Sequence, residues 1–148
     1  MNNAQGFMRR AVELSGEYEE EALKLAAEHG VSDRVERRVG DFVAEPVEPH
    51  DVVVMHRVVC CYPDVDALVG AGAASARQRL LLTYPQERWY MRAGLRSINL
   101  FMRLNGSEFR AFVHPVARMT AAAAGHGLEL AERRRNGRFW ESAAYVRA

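Results

Sequence analysis

Polar side chains able to bind ligands or transfer protons follow the short apolar runs of this sequence. Glu13, Asp41 and Tyr84 each lie at the end of such a run, and His56 with Arg57 follows another. An imidazole can act as a general base near neutral pH, and a guanidinium beside it can clamp a carboxylate. Parallel sheets bind ligands at the carboxyl ends of their strands, so these residues are the candidates for a functional site.

Each candidate also has a simpler interpretation. Glu13 could be a solvated acid at the end of a strand. Asp41 follows Gly40, and Gly-Asp is common turn chemistry. A lone histidine such as His56 is more often structural than catalytic, and His114 before Pro115 is expected in the first turn of a helix. The sequence by itself leaves these alternatives open.

The elements that must position these residues alternate along the chain. Short β-branched runs are followed by longer amphipathic segments, which is typical of βαβ units around a parallel sheet. We predict the order β-α-β-β-α-β-α-α-β-β, an α/β fold of the Rossmann-like, three-layer type, with a mostly parallel sheet and a C-terminal antiparallel hairpin. The predicted strands are 11–14, 35–42, 51–55, 79–85, 128–134 and 139–146, and the predicted helices are 18–29, 64–76, 87–104 and 116–126.

Two of these strands carry more specific expectations. The run at 51–55 is continuously apolar after its first residue, which predicts a strand buried on both faces. Asn136-Gly137 predicts a two-residue turn between the last two strands, because both residue types tolerate a positive φ.

Composition limits the function classes. The chain has 148 residues, with 20 Lys+Arg against 19 Asp+Glu and a net charge of +1. These values predict a single domain, 1–148, and argue against a general nucleic-acid binder. No apolar segment is long enough to span a membrane, and residues 1–6 contain no apolar signal region. Cys60 and Cys61 are adjacent, so we expect small hydrophobic roles, the reducing cytoplasm, and neither disulfides nor a metal site.

The segment 87–104 has an unusual charge pattern. At about 100° per residue, Arg92, Arg96 and Arg103 fall within roughly 80° of Arg88 and form one basic stripe. One interpretation is a helix with a solvated cationic side. The other is that 87–115 forms a lid over a large apolar, anionic substrate, or a peripheral contact with an anionic membrane surface.

The residues at the strand ends resemble those of the class I S-adenosylmethionine-dependent methyltransferases, and the resemblance extends from about residue 10 onward. It implies that Glu13 binds the ribose hydroxyls, because a carboxylate accepts two hydrogen bonds at once. It further implies that Asp41 binds the adenine amino group, with Leu14 and Phe42 on either side of the ring. The strand that ends at His56 would be followed by a loop along the reactive methyl.

Within that family, the stretch 58–64 and the segments 107–110 and 113–115 are similar to the magnesium-protoporphyrin O-methyltransferases, which methylate a propionate carboxylate. The resemblance implies the cofactor S-adenosylmethionine, a small-molecule acceptor, contacts of His56 and Arg57 with the cofactor, and substrate-side catalytic roles for His56 and Tyr62. Cys61 stands where those enzymes usually carry a histidine before the Tyr-Pro dipeptide. A carboxylate acceptor would need no strong base, so O-methylation of an acid stays compatible with this cysteine.

The glycine-rich loop of the family has no counterpart, because residues 1–10 contain only Gly6. We therefore expect the first βα unit to be missing, either in an incomplete form of the enzyme or in a chain that pairs differently or associates into an oligomer. This leaves two function classes open. One is a methyltransferase that acts on a small molecule; the other is a catalytically inactive remnant that works as a binding or interaction module.

Overall fold

A computed structural model describes residues 9–13, 16, 19–45 and 47–148. The chain packs as two compact units, Met1–Pro46 and Val47–Ala148. The strands are β1 (Arg9–Glu13), β2 (Val35–Val39), β3 (His50–His56), β4 (Ala76–Pro85), β5 (Leu128–Asn136) and β6 (Trp140–Arg147). The helices are α1 (Glu19–Glu28), α2 (Val65–Ser75), α3 (Trp89–Leu104) and α4 (Val116–Ala124), and short 3-10 turns cover Ser32–Arg34 and Val59–Cys61. The predicted order of strands and helices is confirmed.

The first unit contains a parallel pair of strands. β1 and β2 run side by side in register, with Glu13 opposite Val39 at their carboxyl ends. The helix α1 connects them, and its chain reverses at Gly30, whose φ of 62° is readily adopted by glycine. Because β1 and β2 end at the same edge, the residues after them are brought close together.

The second unit contains a four-stranded sheet in the order β3-β4-β6-β5. β3 pairs with β4 in parallel, whereas β6 is antiparallel to both β4 and β5. β4 therefore has hydrogen-bonded neighbours on both sides, and its residues Leu80, Leu82 and Tyr84 are almost completely buried. The apolar run Leu80–Leu82 thus lies in an interior strand of the sheet.

Two helices cover this sheet. The helix α2 begins after Asp64, whose side chain accepts a hydrogen bond from the Ala67 amide at 3.1 Å, as expected for an N-cap. It packs against α4 and against β3 and β4. At Gly72 a Cβ atom would lie 2.4 Å from Cε of Met55, so this glycine permits close approach of the helix to β3.

The expectation that β3 is buried on both faces is wrong. Val53 and Met55 face the covered side of the sheet, but Val52 is 46% exposed and Val54 is 61% exposed. The physical reason is that α2 packs on one face of β3, while the other face carries valines that remain accessible. A run of valines alone could not distinguish a strand covered on one face from one covered on two.

The predicted two-residue turn between the last strands is also wrong. Asn136 pairs with Trp140, which leaves three residues in the loop, and among them only Gly137 has a positive φ, at 73°. Gln86 is buried beside this loop, and its amide nitrogen Nε2 donates to the carbonyls of Gly137 and Trp140, each at 3.0 Å. These tertiary hydrogen bonds hold the loop in a wider form than the local Asn-Gly signal predicts.

Candidate functional site

Glu13 ends β1 and forms an ion pair across to the neighbouring strand. Nη2 of Arg37 donates to Oε2 of Glu13 at 2.9 Å, and the Glu13 side chain remains 38% exposed. The backbone carbonyl of Glu13 accepts a hydrogen bond from the Gly40 amide at 2.9 Å. The carboxylate is thus held in place by Arg37, and a carboxylate bound by one donor still has acceptor capacity.

Asp41 follows β2 at the same edge of the parallel pair. Its Oδ1 accepts a hydrogen bond from the Val43 amide at 2.9 Å, and its carbonyl accepts one from the Glu45 amide at 2.9 Å. Asp41 therefore forms a turn, which is the simpler of the two roles that its Gly-Asp sequence allows. The turn places the half-buried Phe42 directly beside Asp41.

The first unit thus brings Glu13, Asp41 and Phe42 to one sheet edge, as expected from parallel strands. The fourth residue assigned to this group, Leu14, lies outside the described residues. Two acids after adjacent strands, with an aromatic ring beside one of them, form a set of acceptors and an apolar surface suited to a nucleoside.

His56 ends β3 opposite Thr83 of β4 and is exposed. Arg57 follows it with a φ of 59°, a left-handed conformation that is costly for a residue with a Cβ. The Arg57 amide donates to the Thr83 carbonyl at 3.1 Å, and the guanidinium carbon lies 4.5 Å from the ring centroid of Trp140. A guanidinium stacked on an indole keeps its in-plane N–H groups available for an anion.

Tyr62 closes the segment that follows β3, and its backbone is tied to a later part of the chain. Nε2 of His114 lies 3.0 Å from the Tyr62 carbonyl, and the His114 ring stacks on Phe112 with centroids 5.5 Å apart. The Phe112 amide donates to the Cys60 carbonyl at 2.7 Å. Residues 57–62 are therefore held on a scaffold formed by 112–114.

Burial changes the protonation of His114. It lowers the pKa of His114 below its ordinary 6.5, while the hydrogen bond with the Tyr62 carbonyl acts in the opposite direction. The expectation that His114 lies in the first turn of a helix is wrong: α4 begins at Val116 with Pro115 as its N-cap, and the His114 side chain supports the β3 segment instead.

The two adjacent cysteines differ in exposure. Cys60 is buried and Cys61 is exposed, with their sulfur atoms 3.6 Å apart. Burial, followed by the neighbouring Cys61, raises the pKa of Cys60 from 9.0 to about 12. Cys60 is therefore a protonated thiol at physiological pH, and its Sγ donates to the Arg57 carbonyl at 3.3 Å. The expectation of a small hydrophobic role fits its burial.

Tyr84, the remaining candidate, belongs to a buried structural network. Its hydroxyl donates to Oε1 of Glu141 at 3.0 Å, and Nε of Arg133 donates to the same oxygen at 2.7 Å. Burial, and next the Glu141 carboxylate, raise the pKa of Tyr84 well above its usual range. These contacts connect β4, β5 and β6.

Three residues that support the β3 segment received no functional role from the sequence. Trp140 stacks on Arg57, Gln86 holds the loop before Trp140, and His114 supports Tyr62. They come from segments far apart along the chain, so only alignment of the strands brings them together. A buried glutamine directly after an apolar strand was the single local clue.

Within the described ranges, no three His, Cys, Asp or Glu side chains come close enough to hold a metal ion. Among the helices of those same ranges, none has the length and apolar character needed to cross a bilayer.

Comparison with solved structures identifies the architecture. The magnesium protoporphyrin IX methyltransferase from Synechocystis PCC 6803, solved with bound SAH, superposes with a TM-score of 0.70 at 19% identity, over 97% of this chain and 65% of its own. A putative sarcosine dimethylglycine methyltransferase from Galdieria sulphuraria gives a TM-score of 0.72 at 9% identity, over 95% of this chain and 70% of its own. The chain has the fold of the class I methyltransferases.

Other comparisons limit what this methyltransferase fold implies. A geranyl diphosphate methyltransferase in complex with SAM also matches, with a TM-score of 0.70 at 15% identity. No family model and no curated sequence matches the chain. The chain spans 65% and 61% of the two magnesium protoporphyrin IX methyltransferase chains. Because the matched enzymes act on different acceptors, the methyltransferase fold is common to them while the substrate is not.

Proposed function

We propose that this chain binds S-adenosylmethionine and takes part in methyl transfer to a small-molecule acceptor, with a carboxylate oxygen as the preferred nucleophile. The observation that carries the proposal is the pair of acids, Glu13 and Asp41, after two adjacent parallel strands of a methyltransferase fold. Structures of the same fold contain SAM or SAH, which supports this choice of cofactor.

The proposed roles in cofactor binding follow from donor and acceptor chemistry. The Glu13 carboxylate, oriented by Arg37, would accept hydrogen bonds from the ribose hydroxyls. Asp41 would accept from the adenine amino group. Phe42 would contact the adenine ring, with Leu14 assigned to its other face by family resemblance. A carboxylate that accepts two hydrogen bonds explains why an acid, and not an amide, would be favoured at Glu13.

The proposed acceptor roles concern the segment after β3. Family resemblance assigns His56 and Tyr62 to the acceptor, and His56 and Arg57 to the cofactor. The guanidinium of Arg57, stacked on Trp140, could bind a carboxylate through its in-plane N–H groups. When bound, S-adenosylmethionine would supply the methyl group: an acceptor oxygen would bond to the methyl carbon while the carbon–sulfur bond breaks and its electron pair returns to the sulfonium sulfur. An ionised carboxylate has no proton to lose, so these residues need only orient it.

Calorimetric titration with S-adenosylhomocysteine tests cofactor binding. We expect Glu13→Gln to weaken binding by about tenfold or more, since a hydrogen bond to a charged group contributes about 1.5–3 kcal/mol. Glu36→Gln is the matched control, because Glu36 is an acid of β2 that pairs with Arg10.

Two outcomes would reject the proposal. One is the absence of heat at millimolar ligand from folded protein, which would favour the binding or interaction module. The other is equal weakening by Glu13→Gln and Glu36→Gln, which would show a general charge effect.

A further inference from the structure

The helix α3 lies on the surface with none of its residues buried. Its inward stripe consists of Met91, Leu95, Asn99 and Met102, which are only half-buried. Asn99 of this stripe binds the backbone of Ala111. Its Nδ2 donates to the Ala111 carbonyl at 2.7 Å, and its Oδ1 accepts from the Ala111 amide at 2.8 Å. The outer side of α3 therefore determines what the helix presents to its surroundings.

That outer side is apolar. At about 100° per residue, the arc opposite the inward stripe spans roughly 140° and contains no charged residue. The large side chains on this arc are strongly exposed: Trp89 79%, Leu104 77%, Phe101 64% and Leu100 59%. The arginines of α3 are exposed, as expected for a helix with a solvated cationic side, but bulky apolar groups occupy the neighbouring arc.

A basic stripe borders the apolar arc on one side. Arg92, Arg96 and Arg103 lie within roughly 40° of one another on the helix wheel. Arg92 pairs with Glu87, whereas Arg96 and Arg103 form no ion pair within the described part of the chain. The helix itself contains no Asp or Glu. Its charge is therefore entirely positive and lies beside the apolar surface.

We propose that α3 docks on an anionic lipid surface, with its apolar arc inserted among the headgroups and its arginine stripe directed at lipid phosphates. Charge complementarity supports this occupant, because all charges of the stripe beside the arc are positive and lipid phosphates are negative. A helix of 16 residues is about 24 Å long, and the proposed orientation has its axis parallel to the surface so that the whole arc makes contact. Helices that lie in the membrane interface combine Trp, Phe and Leu on one side with Arg or Lys beside them.

Vesicle flotation of the full chain measures the proposed binding. We expect flotation with vesicles of phosphatidylcholine and phosphatidylglycerol, and little with phosphatidylcholine alone. Arg96→Gln with Arg103→Gln should weaken binding to the anionic vesicles roughly 30-fold, from the loss of two arginines near the surface. Arg134→Gln with Arg135→Gln removes the same charge from the exposed strand β5 and should leave binding nearly unchanged.

A second pair of variants tests the apolar arc. Phe101→Ser with Leu104→Ser should abolish flotation while leaving the far-ultraviolet circular dichroism spectrum unchanged, because both side chains are exposed. Phe139→Ser removes an exposed aromatic ring from the hairpin loop and is the matched control. In Trp140→Phe, the fluorescence of Trp89 should shift to shorter wavelength on addition of anionic vesicles.

Three results would overturn this docking proposal. Equal flotation with neutral and anionic vesicles would show that charge does not contribute to binding. Equal loss of vesicle binding in the arginine pair of α3 and in its β5 control would show that α3 is not the binding element. A concentration-dependent mass in light scattering that Phe101→Ser with Leu104→Ser abolishes, without any vesicle binding, would assign the arc to a second copy of the chain. None of these results depends on whether the protein binds S-adenosylmethionine.

Discussion

Arg57 illustrates how a single residue is positioned by several contacts. Its left-handed backbone costs about 1–2 kcal/mol for a residue other than glycine. The amide hydrogen bond to Thr83 and the stacking of its guanidinium on Trp140 offset that cost. The same contacts fix the direction of the chain as it leaves β3, and so they position the loop that carries Tyr62.

At the residue scale, His114 should make the stability of the protein depend on pH. Because burial lowers the pKa of His114 in the folded state, the unfolded chain takes up a proton first as the pH falls through about 6.5. The free energy of unfolding should therefore decrease as the pH falls through about 6.5 and level off below the lowered pKa of the folded state. Denaturant titrations at several pH values measure this dependence.

His114→Gln is the comparison variant for that experiment. Glutamine retains an N–H donor for the Tyr62 carbonyl but does not titrate, so its pH dependence should be smaller over the same range. A wild-type protein whose stability increases toward pH 5 relative to this variant would contradict the assignment.

At the scale of elements, two glycines differ in whether the backbone conformation requires them. Gly94 lies in the exposed middle of α3, and a Cβ atom there would have no neighbour within 4 Å. Gly127 connects α4 to β5 with a φ of 76°, and a Cβ atom there would lie 3.3 Å from Nη1 of Arg147. The first glycine only weakens its helix, whereas the second is required by the backbone that starts the hairpin.

Alanine substitutions should therefore have opposite signs at these two glycines. Gly94→Ala should increase the free energy of unfolding by up to about 1 kcal/mol, because glycine is the poorer helix former. Gly127→Ala should decrease it by about 1–2 kcal/mol, because alanine disfavours positive φ. Thermal and urea unfolding of the two variants measure both effects. Destabilisation by Gly94→Ala would show that α3 is not helical at its centre.

At the scale of the whole molecule, the apolar core is unevenly distributed between the two units. In the second unit, α2 packs on β4, α4 packs on α2 and β5, and large side chains such as Leu80, Met119 and Tyr145 are fully buried. In the described part of the first unit, Ala26 is the only buried apolar residue. Stability that depends on buried apolar area should therefore be concentrated in the second unit.

Amide hydrogen exchange should reveal this distribution. The amides of β4, which has neighbours on both sides, should exchange at least about 100-fold more slowly than those of β1 and β2. Mass spectrometry of peptic fragments after deuterium labelling measures the difference, with β6 as a second protected strand. Equal protection of β2 and β4 would show that both units open together.

The sequence was sufficient for the order of elements and for the positions of most candidate residues. Periodicity and turn residues depend on neighbours along the chain, so they predicted β1 to β6 in the right order and located Glu13, Asp41 and His56 at strand ends. The same local logic placed the arginines of α3 on one stripe. The roles assigned to the candidate residues stay predictions, because the titration and mutations above must test them.

Tertiary structure alone decided which side chains meet and which faces are covered. Trp140 reaches Arg57 at the end of β3 only because β4 pairs with both β3 and β6, and the exposed valines of β3 reflect which face α2 covers. The three-residue hairpin loop results from hydrogen bonds to Gln86, which lies about 50 residues earlier in the chain. These outcomes depend on contacts between segments that are distant in the sequence. A local sequence pattern reports only on neighbouring residues, so it does not predict the energies of such contacts.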